Sequence, residues 1–248
     1  MIVELNNVSL HLPGSKKYQK GSGKGNKGLK FIERFVGNKF LALKNLNLKI
    51  DNGRYALIGG NGAGKTTLLR MLSGIYLPTK GNLKLTQYAL PLLNKSVLTN
   101  PILTGVEASK AHYFFIKARY GNFAKRFEDI NDFVDSVFDF AELNDVRGLP
   151  LNQYSDGMLS RLIFSLYTSI THPFLAIDEG LGMADESFYS KSQKRFDDYI
   201  NSSSLIMMAS HSEALLRRHC DKGILMEGGE IIFHGPISDA FEVYRKKQ

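Results

Sequence analysis

Apolar and polar positions change period along this chain, and the changes mark its elements. Residues 2–12 alternate loosely and predict a first strand closed by Pro13. Residues 29–36 place Leu29, Ile32, Phe35 and Val36 on one face of a short predicted helix. Leu46, Leu48 and Ile50 alternate with polar residues, and Asp51-Asn52-Gly53 turns the chain into residues 54–58, an apolar run that reads as a buried strand. Residues 68–72 read as the first turns of a helix, and residues 83–85 alternate as another strand after the turn signals at 73–74 and 78–81. From about Thr104 to Ile170 the period is that of helix: Ile130, Phe133, Val134, Val137, Phe138 and Ala141 share one face, and Ser155 is the expected N-cap of a helix reaching Ile170. Residues 174–177 form a short apolar run ending in Asp178 and Glu179. Residues 205–210 form another, followed by His211. Gly228-Gly229 joins 224–226 to 230–233 as a hairpin, and residues 238–245 predict a closing helix. Strands alternating with helices indicate an α/β chain with a mostly parallel sheet and an antiparallel N-terminal portion.

Composition narrows the class. The 248 residues are 43% hydrophobic and 23% charged, enough for one large core with a subdomain. No run of 18 apolar residues occurs, and the N-terminus lacks a basic region followed by an apolar one. Cys220 is the single cysteine, which excludes an internal disulfide and agrees with a reducing compartment. A cytoplasmic protein is expected.

The net charge of +8 is concentrated in one segment. Between Pro13 and Lys44 stand nine basic residues and one acidic residue, so that segment accounts for the whole excess. A basic face for nucleic acid is therefore not expected. Residues 14–28, rich in glycine, serine and lysine, read as a mobile loop. Either the segment is a solvated insertion, or it rests on a partner or an anionic membrane, where each lysine contributes about 1 kcal/mol.

The candidate chemistry centres on Gly59-Gly60-Asn61-Gly62-Ala63-Gly64-Lys65-Thr66-Thr67, which satisfies G-x-x-x-x-G-K-[ST] between a predicted strand and helix. Glycines let successive N–H groups face a polyphosphate, and the helix N-terminus adds partial positive charge. Lys65 is suited to the β- and γ-phosphates and Thr66 to Mg²⁺. Asp178 is suited to hold Mg²⁺ through water, and Glu179 to orient or deprotonate an attacking water. His211, after a buried strand, fits a γ-phosphate sensor. Ser155-Asp156-Gly157 at a helix start is either a second anion site or only a cap.

These motifs together resemble the nucleotide-binding subunit of ATP-binding cassette (ABC) transporters over nearly the whole chain, the basic insertion excepted. Residues 61–67 look like the family's phosphate loop, residues 155–158 its signature, Asp178-Glu179 its second acidic motif, Asp185 its D-loop and His211 its switch histidine. The resemblance implies a P-loop NTPase core of the RecA-like kind, with an antiparallel β N-terminal subdomain and an inserted α-helical subdomain. A single domain, 1–248, is expected, with 1–99 and 171–248 as catalytic core, 100–170 as helical signature subdomain and 13–40 as the basic loop. It also implies ATP and Mg²⁺, a head-to-tail homodimer in which Ser155 and Gly157 of one copy cap ATP on the other, and an integral membrane permease subunit. Such a subunit works peripherally at the cytoplasmic face of the cell membrane, with 13–44 available for membrane contact.

Tyr154-Ser155-Asp156-Gly157-Met158 and the following Arg161-Leu162 and Phe164 are similar to the polysaccharide-export branch, which moves capsule, O-antigen or teichoic acid. Gly182 to Phe188 is similar to the same branch, and the chain resembles its short form, without a C-terminal carbohydrate-binding domain. Four positions depart from the pattern. Asp156 replaces a small neutral residue, and Ala184 stands for glycine. The Q-loop glutamine is missing, with Asn100 the nearest substitute as a metal-contacting residue. The adenine-stacking aromatic falls near Leu12, leaving His11, Phe40 or, preferred, Tyr18. Alternative readings are a cassette for another transport substrate, a nucleotide-binding regulatory module that does not hydrolyse, and a soluble ATPase switch on nucleic acid or ribosomes.

Overall fold

The computed structural model describes residues 2–13, 35–36, 39–92, 100–120, 127, 129–178 and 186–247. Two sheets organise the strands. The first has the order β2-β3-β1-β5, with β1 at Val3–Pro13, β2 at Phe35–Val36, β3 at Lys39–Ile50 and β5 at Lys80–Leu85. Strand β1 lies antiparallel to both β3 and β5, with Val3 opposite Ile50 and Leu85. The loose alternation of β1 has a backbone cause. Asn7 and Asn45 adopt positive φ, and the register slips between Leu5 and Val8, where Ser9 and Asn45 exchange hydrogen bonds. Asparagine tolerates that left-handed geometry because its short polar side chain bonds locally.

The second sheet has the order β10-β9-β4-β8-β7-β6. Its members are β4 (Gly53–Ile58), β6 (Leu90–Leu92), β7 (Phe174–Asp178), β8 (Leu205–Ala209), β9 (Lys222–Glu227) and β10 (Glu230–Pro236). Strand β4 runs parallel to β8 and to β9. Leu57, Phe174 to Ile177 and Leu205 to Met208 are all fully buried, as expected for strands covered on both faces. The β9–β10 hairpin turns at Gly228 and Gly229, with φ of 58° and 86°, the two positive values a type I′ turn requires.

Seven α-helices occur among the described residues: α1 (Lys65–Leu72), α2 (Gly105–Tyr120), α3 (Ile130–Ala141), α4 (Asp156–Thr168), α5 (Glu186–Asn201), α6 (Glu213–His219) and α7 (Ile237–Lys246). The expected face of α3 is buried at Phe133, Val134, Val137, Phe138 and Ala141, and Asp129 caps its start by accepting from the N–H groups of Asn131 and Asp132. Ser165 of α4 donates to the Val137 carbonyl at 2.7 Å and ties α4 to α3.

Three expectations change. The helix expected over 29–36 gives way at Phe35 and Val36 to a strand paired with Phe40 and Lys39, because the neighbouring edge of β3 offers backbone partners; 29–34 lie outside the described residues. Strand β6 and helices α5 and α6 were not anticipated. In α5 the buried stripe runs Phe188, Ser192, Phe196, Tyr199, Ile200, and the serine at its centre masks the apolar period. Ser192 is tolerated there because its hydroxyl donates to the Tyr189 carbonyl at 2.8 Å. Lastly, the α4 helix stops at Thr168, with Ser169 as its C-cap.

The chain divides into two compact units. One comprises Met1–Pro91, Ala176–Asp178 and Leu205–Gln248, and the other Leu92–Leu175 and Glu179–Ser204.

Candidate functional site

The loop after β4 is held open by contacts that leave its inner face to a ligand. Gly59, Gly62 and Gly64 have φ of 148°, 75° and 107°. A side chain at Gly59 would run into the Met226 carbonyl, so the loop passes β9 at a distance only glycine permits. The β9–β10 turn braces the other side: Gly229 N–H donates to the Ala63 carbonyl at 2.9 Å, and Lys44 N–H to the Gly229 carbonyl at 2.8 Å. Beside Gly62, by contrast, a Cβ would meet nothing within 4 Å.

Helix α1 starts at Gly64 with no side-chain cap and no acidic residue in its first turn. Its leading N–H groups and dipole are thus available to an anion. Lys65 Nζ rests on the carbonyls of Gly59 and Gly60 at 2.7 and 3.1 Å, curled over the loop. Thr66 and Thr67 follow, both partly exposed on a helix otherwise anchored by Leu68, Leu69, Met71 and Leu72.

Neighbouring strands bring further groups to the same unit. Leu57 of β4 is opposite Ala209 of the parallel β8, so Gly59 and His211 leave adjacent strands at the same edge, each two residues beyond that pair. His211 is exposed, and Ser212 after it caps α6 by accepting from Leu215 N–H at 3.2 Å. Strand β7 lies on the other side of β8 and ends at the half-buried Asp178. Glu179, Asp185 and Tyr18 lie outside the described residues. Of the other aromatic candidates, His11 is already bonded to Thr79 through its ring Nδ1 at 2.8 Å, and Phe40 is half-buried opposite Leu12.

The signature residues belong to the other unit. Tyr154 is buried and donates to the Val146 carbonyl at 2.9 Å. Ser155 caps α4, its Oγ accepting from Met158 N–H at 3.2 Å, and Asp156 is the exposed first residue of the helix. Gly157 is half-buried. Asn100 is exposed, and its Oδ1 accepts from Ile102 N–H at 3.2 Å in a local turn. No group of three or more His, Cys, Asp or Glu suited to a metal occurs among the described residues. Thr66 and Asp178 nevertheless supply the hard oxygens that Mg²⁺ takes alongside phosphate and water.

Reading the sequence missed the part played by the β9–β10 turn. Gly228-Gly229 signals a hairpin, but only pairing across the fold shows the turn bracing the phosphate loop.

Comparison with known proteins gives the chain's family. Residues 43–182 match the family model described as ABC transporter. The polysialic acid transport ATP-binding protein KpsT of Escherichia coli is 37% identical over 206 residues, 82% of this chain and 90% of that protein. An O-antigen export system ATP-binding protein of Myxococcus xanthus is 31% identical across 83% of this chain, which spans only 46% of that relative's length. A teichoic acids export ATP-binding protein of Listeria monocytogenes is 29% identical over 93% of this chain and 67% of its own. Among solved structures, a dimeric ATP-binding cassette in a post-hydrolysis state, bound to ADP and Pi, superposes with a TM-score of 0.66 at 18% identity, covering 95% of this chain and 99% of that one.

Proposed function

The chain belongs to the ABC transporter family, and we propose that it is the ATP-hydrolysing subunit of an exporter for a cell-surface polysaccharide of the capsule, O-antigen or teichoic-acid type. The observation that carries the ATPase reading is the loop from Gly59 to Thr67, with its uncapped helix and its lysine curled over backbone carbonyls. The export reading rests on the named activities of relatives about 30–37% identical. In this reading the chain acts as a head-to-tail dimer against an integral membrane permease subunit. It sits peripherally on the cytoplasmic face of the membrane, with the basic segment 13–44 available for membrane contact; no nucleic acid is involved. No described helix is long and apolar enough to cross a bilayer.

The chain's own groups divide the work. Asn61 to Thr67 cradle the phosphates through backbone N–H groups. Lys65 exchanges the Gly59 and Gly60 carbonyls for β- and γ-phosphate oxygens. Thr66 and Asp178 would hold Mg²⁺, which would supply neutralisation of the phosphate charge. Glu179 accepts the proton of the attacking water, and His211 donates to the γ-phosphate. Ser155 and Gly157 of the second copy close the site. Replacing Glu179 by Gln removes the base and keeps the shape. Steady-state hydrolysis should fall at least about 100-fold while ATP binding persists and an ATP-bound dimer accumulates on size exclusion. Hydrolysis at the wild-type rate in that variant would falsify the assignment.

A further inference from the structure

Outside the phosphate loop and the signature turn, the second unit contains a pocket of about 480 Å³ along the C-terminal half of α5. That volume lies in the range of small-ligand sites, roughly 300–1,000 Å³. Three cations line it: Lys191, Lys194 and Arg195. Two are held in place. The Arg195 guanidinium lies 3.9 Å from the centroid of the Phe140 ring and donates to Ser169 Oγ at 2.9 Å. Lys191 Nζ lies 4.8 Å from the same centroid and 2.7 Å from Glu142. The exposed Lys194 makes no ion pair among the described residues. Asp198 is the acidic residue of the wall, so the lining carries a surplus of positive charge.

Tyr199 forms part of the wall, 3% exposed, with its hydroxyl buried away from the pocket space. Thr171 and Ser202 contribute hydroxyls, and Asp198 is an acceptor for a ligand's own hydroxyl groups. The Phe140 face is already covered by Arg195, which leaves it closed to a stacking base. A nucleotide is therefore disfavoured.

We propose that this pocket binds a small hydroxylated phosphate monoester of the sugar-phosphate or polyol-phosphate class. The dianionic phosphate sits among Lys191, Lys194 and Arg195, and the hydroxyls face Thr171, Asp198 and Ser202. The site is independent of ATP hydrolysis, since none of its residues belongs to the phosphate loop or the signature. Cations already ordered on an aromatic ring lose little freedom on binding, which favours a charged ligand in an open pocket.

The test uses the full chain with saturating ADP, so that the phosphate loop is filled, and titrates glucose 6-phosphate by calorimetry. Saturable binding with a Kd of about 0.1–1 mM is expected, with none for glucose. Lys194→Glu, on the surface, should weaken it at least about tenfold while leaving ADP affinity unchanged. The proposal is overturned by absence of saturable heat up to about 10 mM, by undiminished binding to Lys194→Glu, or by binding seen only when ADP is withheld. Phosphatidic acid vesicles that bind through Lys194 where glucose 6-phosphate does not would assign the pocket to a lipid headgroup and overturn it as well.

Discussion

Two helix starts, one in each unit, carry the proposed ATP chemistry, and the chain finishes them in opposite ways. Helix α1 begins at a glycine, with no side-chain cap and no acid in its first turn. Helix α4 begins at Ser155, whose hydroxyl already serves Met158 N–H, and has Asp156 as its first residue. The first end has no side-chain cap and leaves its leading N–H groups to water or an anion. The second is complete by itself, and its aspartate interacts favourably with its own helix dipole by about 0.3–1 kcal/mol. ATP capture is thus built into the phosphate loop, whereas the proposed capping across a dimer competes with a cap the helix makes locally.

The largest effect is expected at the uncapped end. Lys65→Ala removes the mobile charge over the loop. ATP at about 100 times its Kd stabilises a binding fold by about 2.7 kcal/mol, or roughly 5–10 °C in melting temperature for a chain of this size. That shift should vanish in the variant, and an unchanged shift, measured by scanning fluorimetry, would remove the phosphate loop from the binding site.

A smaller and opposite change is expected at the self-capped end. Asp156→Gly deletes a negative charge from the proposed γ-phosphate side of the signature. ATP-dependent dimerisation of a Glu179→Gln background should tighten about threefold to tenfold, read by analytical ultracentrifugation. Weaker dimerisation would mean that the aspartate serves the helix more than it opposes the nucleotide, and the contrast between the two ends would lose its functional meaning.

Acid separates the two units by another route. His112 on α2 is buried, has an unpartnered Nδ1, and packs edge-on against Tyr167 of the signature helix with ring centroids 5.4 Å apart. Burial lowers its pKa to about 4 from the ordinary 6.5. The unfolded chain therefore binds the proton first as pH falls, so this contribution to stability is whole above about pH 6.5 and is lost progressively toward pH 4. The full loss is about 3 kcal/mol, of which about 0.7 kcal/mol falls between pH 7 and pH 6. Hydrogen exchange should show α2 and α4 loosening before α1 at pH 5, and His112→Gln should flatten that pH dependence. Equal loosening of both units would remove the histidine as its cause.

Much of the fold is legible from local rules. Residues 54–58, 174–178 and 205–209 are short apolar runs ended by functional groups, and buried strands of an α/β core have that appearance. The α3 stripe from Phe133 to Ala141 and the cap at Ser155 also follow from spacing and side-chain chemistry. Elements whose pattern depends on a distant partner were harder to read. Phe35-Val36 is a strand because Lys39 and Phe40 return beside it. The α5 stripe is hidden by a buried serine whose hydroxyl finds a carbonyl within its own helix. For the candidate site, Lys65, Thr66, Asp178 and His211 were legible from motif and flanking strands. The role of Gly229 was not, because nothing in a glycine-glycine turn names the loop it braces.

The sequence alone determined which groups are available: a glycine loop with Lys65 and Thr66, acids after one strand, a histidine after another, and a serine cap at the signature. Each follows from covalent chemistry and short-range spacing. Tertiary structure decided what those groups have left to give. The hydrogen bond from Gly229 N–H to Ala63, the parallel pairing of β4 with β8, and the cap already made by Ser155 depend on residues far apart in the chain or on geometry that composition does not encode. Long-range pairing sets which polar groups are already satisfied, and only the unsatisfied ones remain for a ligand.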